Sequence, residues 1–248
     1  RFDDESNILS FELDGGLKPG SRYEVTLEGG LAGPLRATSD GDFTWAFQTT
    51  VPQLISQSPT DVIDADNRRI EAQFSTAIDE DLLAGGVESI VRISREGQAL
   101  TPADIRFDDE SNTISFELDG GLKPGARYEV TIEGRLAGPL RVAGNGDFTW
   151  AFQTTVPQLI DQSPADVVDA DDRRIQAQFS TAIDQELIST ETVRISHEGE
   201  ALEPIEIRFE DNTLSFEIDG GFKPGSRYEV TLAGRLAGPL RATGDGDF

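Results

Sequence analysis

The chain has 248 residues, with 21 lysines and arginines against 46 aspartates and glutamates, a formal net charge of −25, one histidine and no cysteine. The lack of thiols excludes disulfides and thiolate chemistry. The acidity excludes nucleic acid as a partner, because binding phosphates takes a positive surface, and it disfavours anionic membrane surfaces; no apolar run reaches the length of a membrane span.

Residues 1–50 open with RFDDESNILSFELDGGLKPGSRYEVTLEG. The same segment returns from Arg106 and, slightly altered, from Arg208, at spacings of 105 and 102 residues. Residues 1–55 differ from 106–160 at nine positions. Such a period is that of a whole domain, far too long for a solenoid unit. The expected organisation is a C-terminal half-repeat at 1–50, a complete repeat at 51–155, and a repeat lacking its last strand at 156–248. We read the chain as a window of a longer array. Near-identical copies gain length, spacing or avidity, not a new reaction per copy.

Within 51–155 apolar and polar side chains alternate with period two, the pattern of half-buried strands. The predicted strands are QLISQSP, then RRIEAQFS with Ile70, Ala72 and Phe74 on one face, then ESIVRIS with Ile93. ADIRF follows with Ile105 and Phe107, and NTISFELD with Ile114, Phe116 and Leu118. RYEVTIEG turns Tyr128, Val130 and Ile132 inward, and FTWAFQTT does the same with Phe148, Trp150 and Phe152. SPTD, REGQ, DDESN, DGGLKPG, LAGPL and GNGD read as the turns between them. Ser75–Ser89 departs from the pattern and reads as a surface loop with a short helical turn; its third copy is three residues shorter. The fold class is therefore all-β: tandem immunoglobulin-like antiparallel β-sandwich domains of about seven strands.

The segment LKPGxRYxV has the spacing of a tyrosine corner, in which a Tyr hydroxyl bonds backbone a few residues upstream. Tyr23, Tyr128 and Tyr228, with Pro19, Pro124 and Pro224 setting the turn, occupy this slot. The only lysines, Lys18, Lys123 and Lys223, recur once per repeat; few lysines among many carboxylates suggests salt adaptation. His197, in SHEGE, stands where the preceding copy has Arg95 and is expected on exposed surface. No zinc-type His pair and no phosphate-cradling loop leading into a helix accompanies it, so no catalytic residue is assigned.

The order I-x-Q-S-P-x-D-V (55–62), I-x-A-Q-F-S-x-x-I-D (70–79), L-K-P-G-x-R-Y-x-V-T (122–131) and G-D-F-T-W-A-F-Q-T-T (146–155) resembles the bacterial Ig-like domains of the SbsA type. The resemblance covers the whole chain. It implies an extracellular sandwich used as spacer or scaffold, without catalytic residues or a required cofactor.

Calcium is the one candidate ion, since it takes six to eight oxygen ligands. DVIDADN and DVVDADD offer Asp61, Asp64, Asp66, Asp166, Asp169 and Asp171 on the loop expected to face the next repeat. Asp184, Asp245 and Asp247 would approach from that repeat's near end. No segment has EF-hand spacing. The linker FQTTVPQLI is short and carries one proline, so extended, semi-rigid stacking is expected. Expected partners are neighbouring repeats of the same chain or identical subunits, the latter by donation of the strand at 43–50, and a surface or glycan ligand. The function expected is an extracellular stalk or filament; a multivalent adhesive array and accessory modules of a secreted hydrolase are the competing readings.

Overall fold

The computed structural model describes residues 2–33, 41–84, 90–165, 167, 169 and 172–248. In the first half-repeat β1 (Phe2–Asp3) pairs with β2 (Ile8–Leu9), and β3 (Arg22–Leu27) pairs with β4 (Phe43–Gln48). The complete repeat carries β5 (Leu54–Ser58), β6 (Val62–Ile63), β7 (Ile70–Phe74), β8 (Val91–Arg95) and β9 (Gln98–Leu100). It continues with β10 (Pro102–Asp108), β11 (Thr113–Leu118), β12 (Arg127–Ile132) and β13 (Phe148–Thr154).

These strands form two sheets, in the orders β10-β11-β7-β5 and β6-β13-β12-β8-β9. Seven of them are the strands expected from the period-two pattern. The other two were too short to show a period. β6 is a two-residue strand that runs parallel to the end of β13, Val62 opposite Gln153. β9 follows the tight turn at Glu96 and Gly97, both at positive φ, and pairs with β8.

The alternating side chains meet between the sheets. Ile70, Ile114, Tyr128, Val130 and Ile132 are fully buried. Phe74 of one sheet meets Phe148 of the other edge to face, with ring centroids 5.2 Å apart. Each fully buried apolar side chain of this size contributes about 1.5–3 kcal/mol. A register shift in β5 between Leu54 and Ser56 turns Ile55 outward, and it is 59% exposed.

LAGPL, read as a plain turn, is more ordered than that. Gly134–Ala137 is a 3-10 turn, and Pro139–Gly144 is a short helix with proline in its first turn, where a missing N–H costs nothing. The Arg141 guanidinium closes this helix by donating to Gly146 O at 2.9 Å and lies 3.9 Å over the Phe148 ring.

The third repeat repeats the order, with β14 (Leu159–Ser163), β15 (Arg174–Phe179), β16 (Val193–His197), β17 (Glu200–Leu202), β18 (Pro204–Glu210), β19 (Thr213–Ile218) and β20 (Tyr228–Leu232). Its sheets run β14-β15-β19-β18 and β17-β16-β20. Its buried cluster shares no residue with that of the second repeat. His197 is not the exposed residue expected. Register pairs it with Tyr228, the two rings lie 4.8 Å apart, and its side chain is half-buried. No helix among the described residues is long and apolar enough to cross a membrane.

Candidate functional site

The most specific local chemistry in the repeat lies in the LKPG loop before β12. The Lys123 N–H donates to the Tyr128 hydroxyl at 2.7 Å. The Thr154 hydroxyl, at the end of β13, donates to Lys123 O at 2.6 Å and accepts from the Ala126 N–H at 2.9 Å. The Gly125 N–H donates to Thr155 O at 3.0 Å. The half-repeat shows the same set: Lys18 N–H to Tyr23 at 2.7 Å, and Thr49 to Lys18 O at 2.7 Å. Lys223 N–H reaches Tyr228 at 2.8 Å. The backbone of the loop is thus held from within its own repeat, and the lysine side chain and the glycine carbonyl are left to reach outward. Burial is the main influence on the Tyr128 phenol and pushes its pKa up.

What the lysine reaches is the next repeat. Lys18 Nζ lies 3.0 Å from Asp79 Oδ1 and also pairs with Asp81. Lys123 Nζ lies 3.2 Å from Asp184 Oδ1 and 2.6 Å from Glu186 Oε2. In each junction one carboxylate is mostly covered, Asp79 at 18% and Asp184 at 13% side-chain exposure, and the other is open to solvent. The inner acids are fixed from behind. Asp79 N–H donates to Leu136 O at 2.9 Å, and Asp184 N–H to Leu236 O at 2.8 Å.

Backbone meets backbone beside the ion pair. Leu140 N–H donates to Gly20 O at 2.9 Å, and Leu240 N–H to Gly125 O at 2.9 Å. A Cβ on Gly20 would stand 2.0 Å from Ala137 O, and one on Gly138 would stand 2.0 Å from Pro19 O. At the second junction a Cβ on Gly125 would stand 2.0 Å from Ala237 O, and one on Gly238 would stand 2.0 Å from Pro124 O. All four glycines have positive φ. They serve twice, in a conformation costly for other residues and at an approach that admits no side chain. The third loop carries the same residues, but a Cβ on Gly225 would meet nothing within 4 Å.

The electrostatics keep the ammonium charged. Burial opposes the charge on Lys123, and the bonds to Glu186 and Asp184 outweigh it, so its pKa is raised. Lys18 is raised by its bonds to Asp81 and Asp79. Glu186 is held below the ordinary carboxylate range by Lys123, with a smaller contribution from Arg95. A lysine held this way is a fixed cation for a pair of acids.

Of the residues singled out for calcium, Asp184 lies at the junction and faces Lys123. Asp247 bonds Arg194 at 2.6 Å and the Gly234 N–H at 2.9 Å, within its own repeat. Asp245 lies 3.6 Å from Arg241. Asp64 accepts from the Thr155 hydroxyl at 3.0 Å; Asp61, Asp66 and Asp169 are exposed. Asp166 and Asp171 lie outside the described residues. Among the described residues no three His, Asp or Glu side chains gather as a metal site. Pro19 and Pro124 present their carbonyls to the junction glycines, and Pro224 is exposed. Asp79, Asp81, Gly138 and Thr154 were not anticipated, and Glu186 was expected at the repeat's near end but not as a lysine's partner; the strict recurrence of one lysine per repeat was the signal that pointed to it.

This architecture is that of a tandem sandwich array with a recurring junction. A family model described as Bacterial Ig-like domain matches residues 48–154 and again 153–239, and the chain belongs to that family. No curated protein matches the chain. Among solved structures it is similar to the S-layer protein SbsC, at 14% identity and TM-score 0.29, over 73% of this chain and 23% of that one. It is also similar to an L,D-transpeptidase from Mycobacterium tuberculosis H37Rv, at 14% identity and TM-score 0.29, over 62% of this chain and 58% of that one. CopC from Methylosinus trichosporium OB3b gives 13% identity and TM-score 0.28, over 42% and 93%. At these TM-scores the likenesses add nothing to the fold assignment, which rests on the family match and the strand order.

Proposed function

We propose that these repeats are the extending region of a bacterial cell-surface or secreted protein, stacked end to end as a stiff spacer. One observation carries the reading: the same junction, with the same glycine contacts, backbone bond and lysine clasp, recurs at both repeat boundaries. Flexible linkage would need none of these. A short proline-bearing linker and a clasp on the loop beside it restrain the same boundary at two places. The strongly acidic surface keeps such an array soluble and self-repelling. No described residue is given a catalytic role, and the reading needs no cofactor.

Small-angle scattering of the 248-residue chain tests this. An extended shape that Gly125→Ala makes more flexible supports the spacer reading, and a profile of freely jointed repeats in the parent chain sinks it. A multivalent binding array is the second reading. It is favoured by Ile55 and Ile160, equivalent positions each 59% exposed, which would present one apolar point per repeat. Retention on an apolar or glycan-coated surface that Ile55→Ser with Ile160→Ser abolishes would support it.

A further inference from the structure

We infer that each repeat carries a complete head and a complete tail for recognising another copy, so that separate repeats dock head to tail without the linker. The inference rests on the spacer reading and extends it from one chain to several. The head is the LKPG loop, with its lysine and its Pro-Gly backbone. The tail is the Ile-Asp-x-acid loop, with the turn through Gly138 and the Leu140 N–H.

Three observations lead here. First, the two faces meet twice in the same way, and the contacts between them are made by the loops themselves; among the described residues the linker bonds each face only from its own repeat, Thr155 O accepting from the Gly125 N–H and Gln53 Oε1 from Arg141. The pairs are Gly20 with Ala137 and Gly138, and Gly125 with Ala237 and Gly238. Second, the contact survives sequence change at its rim. The outer acid is Asp81 at one junction and Glu186 at the other, and the loop that carries it differs by three residues in length. The invariant parts are the lysine, the glycines and the inner aspartate. Third, the loop of the third repeat keeps the lysine, the Pro-Gly step and the tyrosine bond, Lys223 N–H to Tyr228 at 2.8 Å, although a Cβ on Gly225 would meet nothing within 4 Å, so the loop holds this form without a neighbour against it.

The occupant that fits this face is a further copy of the repeat. Its chemistry is specific: a covered aspartate beside a second acid for the ammonium, and a glycine whose missing Cβ leaves room for the Pro-Gly backbone. Head and tail are different surfaces, so the contact is heterologous and propagates as an open linear array.

The unit 51–155 is suited to the test. Among the described residues its buried cluster is drawn wholly from its own side chains and its nine strands pair only with each other, and it holds both faces. It also contains a single lysine, Lys123. With its N-terminus acetylated, the unit at about 1 mM, the concentration a short tether imposes, is treated with a carbodiimide that joins an amine to a carboxylate at ion-pair distance. We expect a ladder of dimers and longer products in which Lys123 is joined to Asp79 or Asp81. Gly125→Ala, which keeps every reacting group, should lower the dimer yield about tenfold, the equivalent of one lost hydrogen bond. Circular dichroism checks that this variant is folded, and sedimentation equilibrium reads association of the untreated unit independently. A monomer at every concentration, with no product or with Lys123 coupled to scattered acids, overturns the inference. The 248-residue chain separates this failure from that of the spacer reading. Intramolecular links from Lys18 to Asp79 or Asp81, and from Lys123 to Asp184 or Glu186, leave the spacer reading standing; their absence removes both.

Discussion

Replacing Gly125 by alanine should uncouple the second repeat from the third, and Gly225→Ala supplies the control within the same chain. Both residues occupy the same loop position at positive φ, +55° and +69°. A Cβ in this left-handed region costs roughly 1–2 kcal/mol, and both variants bear that cost. Only Gly125 faces another repeat. Its Cβ would stand 2.0 Å from Ala237 O, against about 3.4 Å for ordinary contact. Both sides are backbone, so relief requires the repeats to part by about that shortfall. The Leu240 N–H to Gly125 O bond, 2.9 Å long, would then exceed hydrogen-bond reach. One such bond is worth about 0.5–1.5 kcal/mol. Gly125→Ala should therefore lose about 1 kcal/mol more than Gly225→Ala in urea unfolding analysed repeat by repeat. It should also broaden the interdomain geometry seen by scattering, which Gly225→Ala should not. Equal losses and identical scattering profiles would refute the reasoning, since the junction would then contribute nothing to the coupling.

Thr154→Val keeps the shape of a side chain that is 1% exposed but removes the partner of Lys123 O and of Ala126 N–H. Urea unfolding should show a loss of about 1–3 kcal/mol. The clasp has a predictable pH range. Glu186 is depressed, so its contribution is complete above the ordinary value of 4.5 and is lost as pH falls through its lower folded value. Lys123 is raised, so its contribution is complete below 10.5 and is lost above that. The carbodiimide-independent measure, scattering against pH, should stay flat between these limits and show looser junctions outside them. Calcium at millimolar concentration should leave the melting temperature where a matched monovalent salt puts it, because the inner junction acids already face an ammonium; a clear rise would restore an ion-braced junction.

Much of the sandwich was legible because its strands are half-buried. Ile70, Ala72 and Phe74, or Phe148, Trp150 and Phe152, must alternate with polar neighbours if one face meets the core. β6 and β9 carry two and three residues, too few for a period. The Pro139–Gly144 helix was hidden by the glycines and proline that cap and start it, which read as turn signals. The tyrosine slot could be recognised because its partners are local, with Lys123 five residues from Tyr128. The clasp could not, because Lys123 and Asp184 are 61 residues apart and a surplus of carboxylates hides which ones meet a cation. Acid count pointed to an ion at the junction; of the acids named for it Asp184 meets a lysine, while Asp245 and Asp247 meet arginines of their own repeat.

The central claim is that successive repeats are held at one fixed geometry. The chain has no cysteine, so two can be introduced for spin labels at exposed positions, Glu110→Cys in the second repeat and Glu210→Cys in the third. Pulsed dipolar spectroscopy then reads the distance distribution between them. The account predicts a single narrow peak, unchanged by a chelator and broadened by Gly125→Ala. A broad distribution in the parent chain would contradict it.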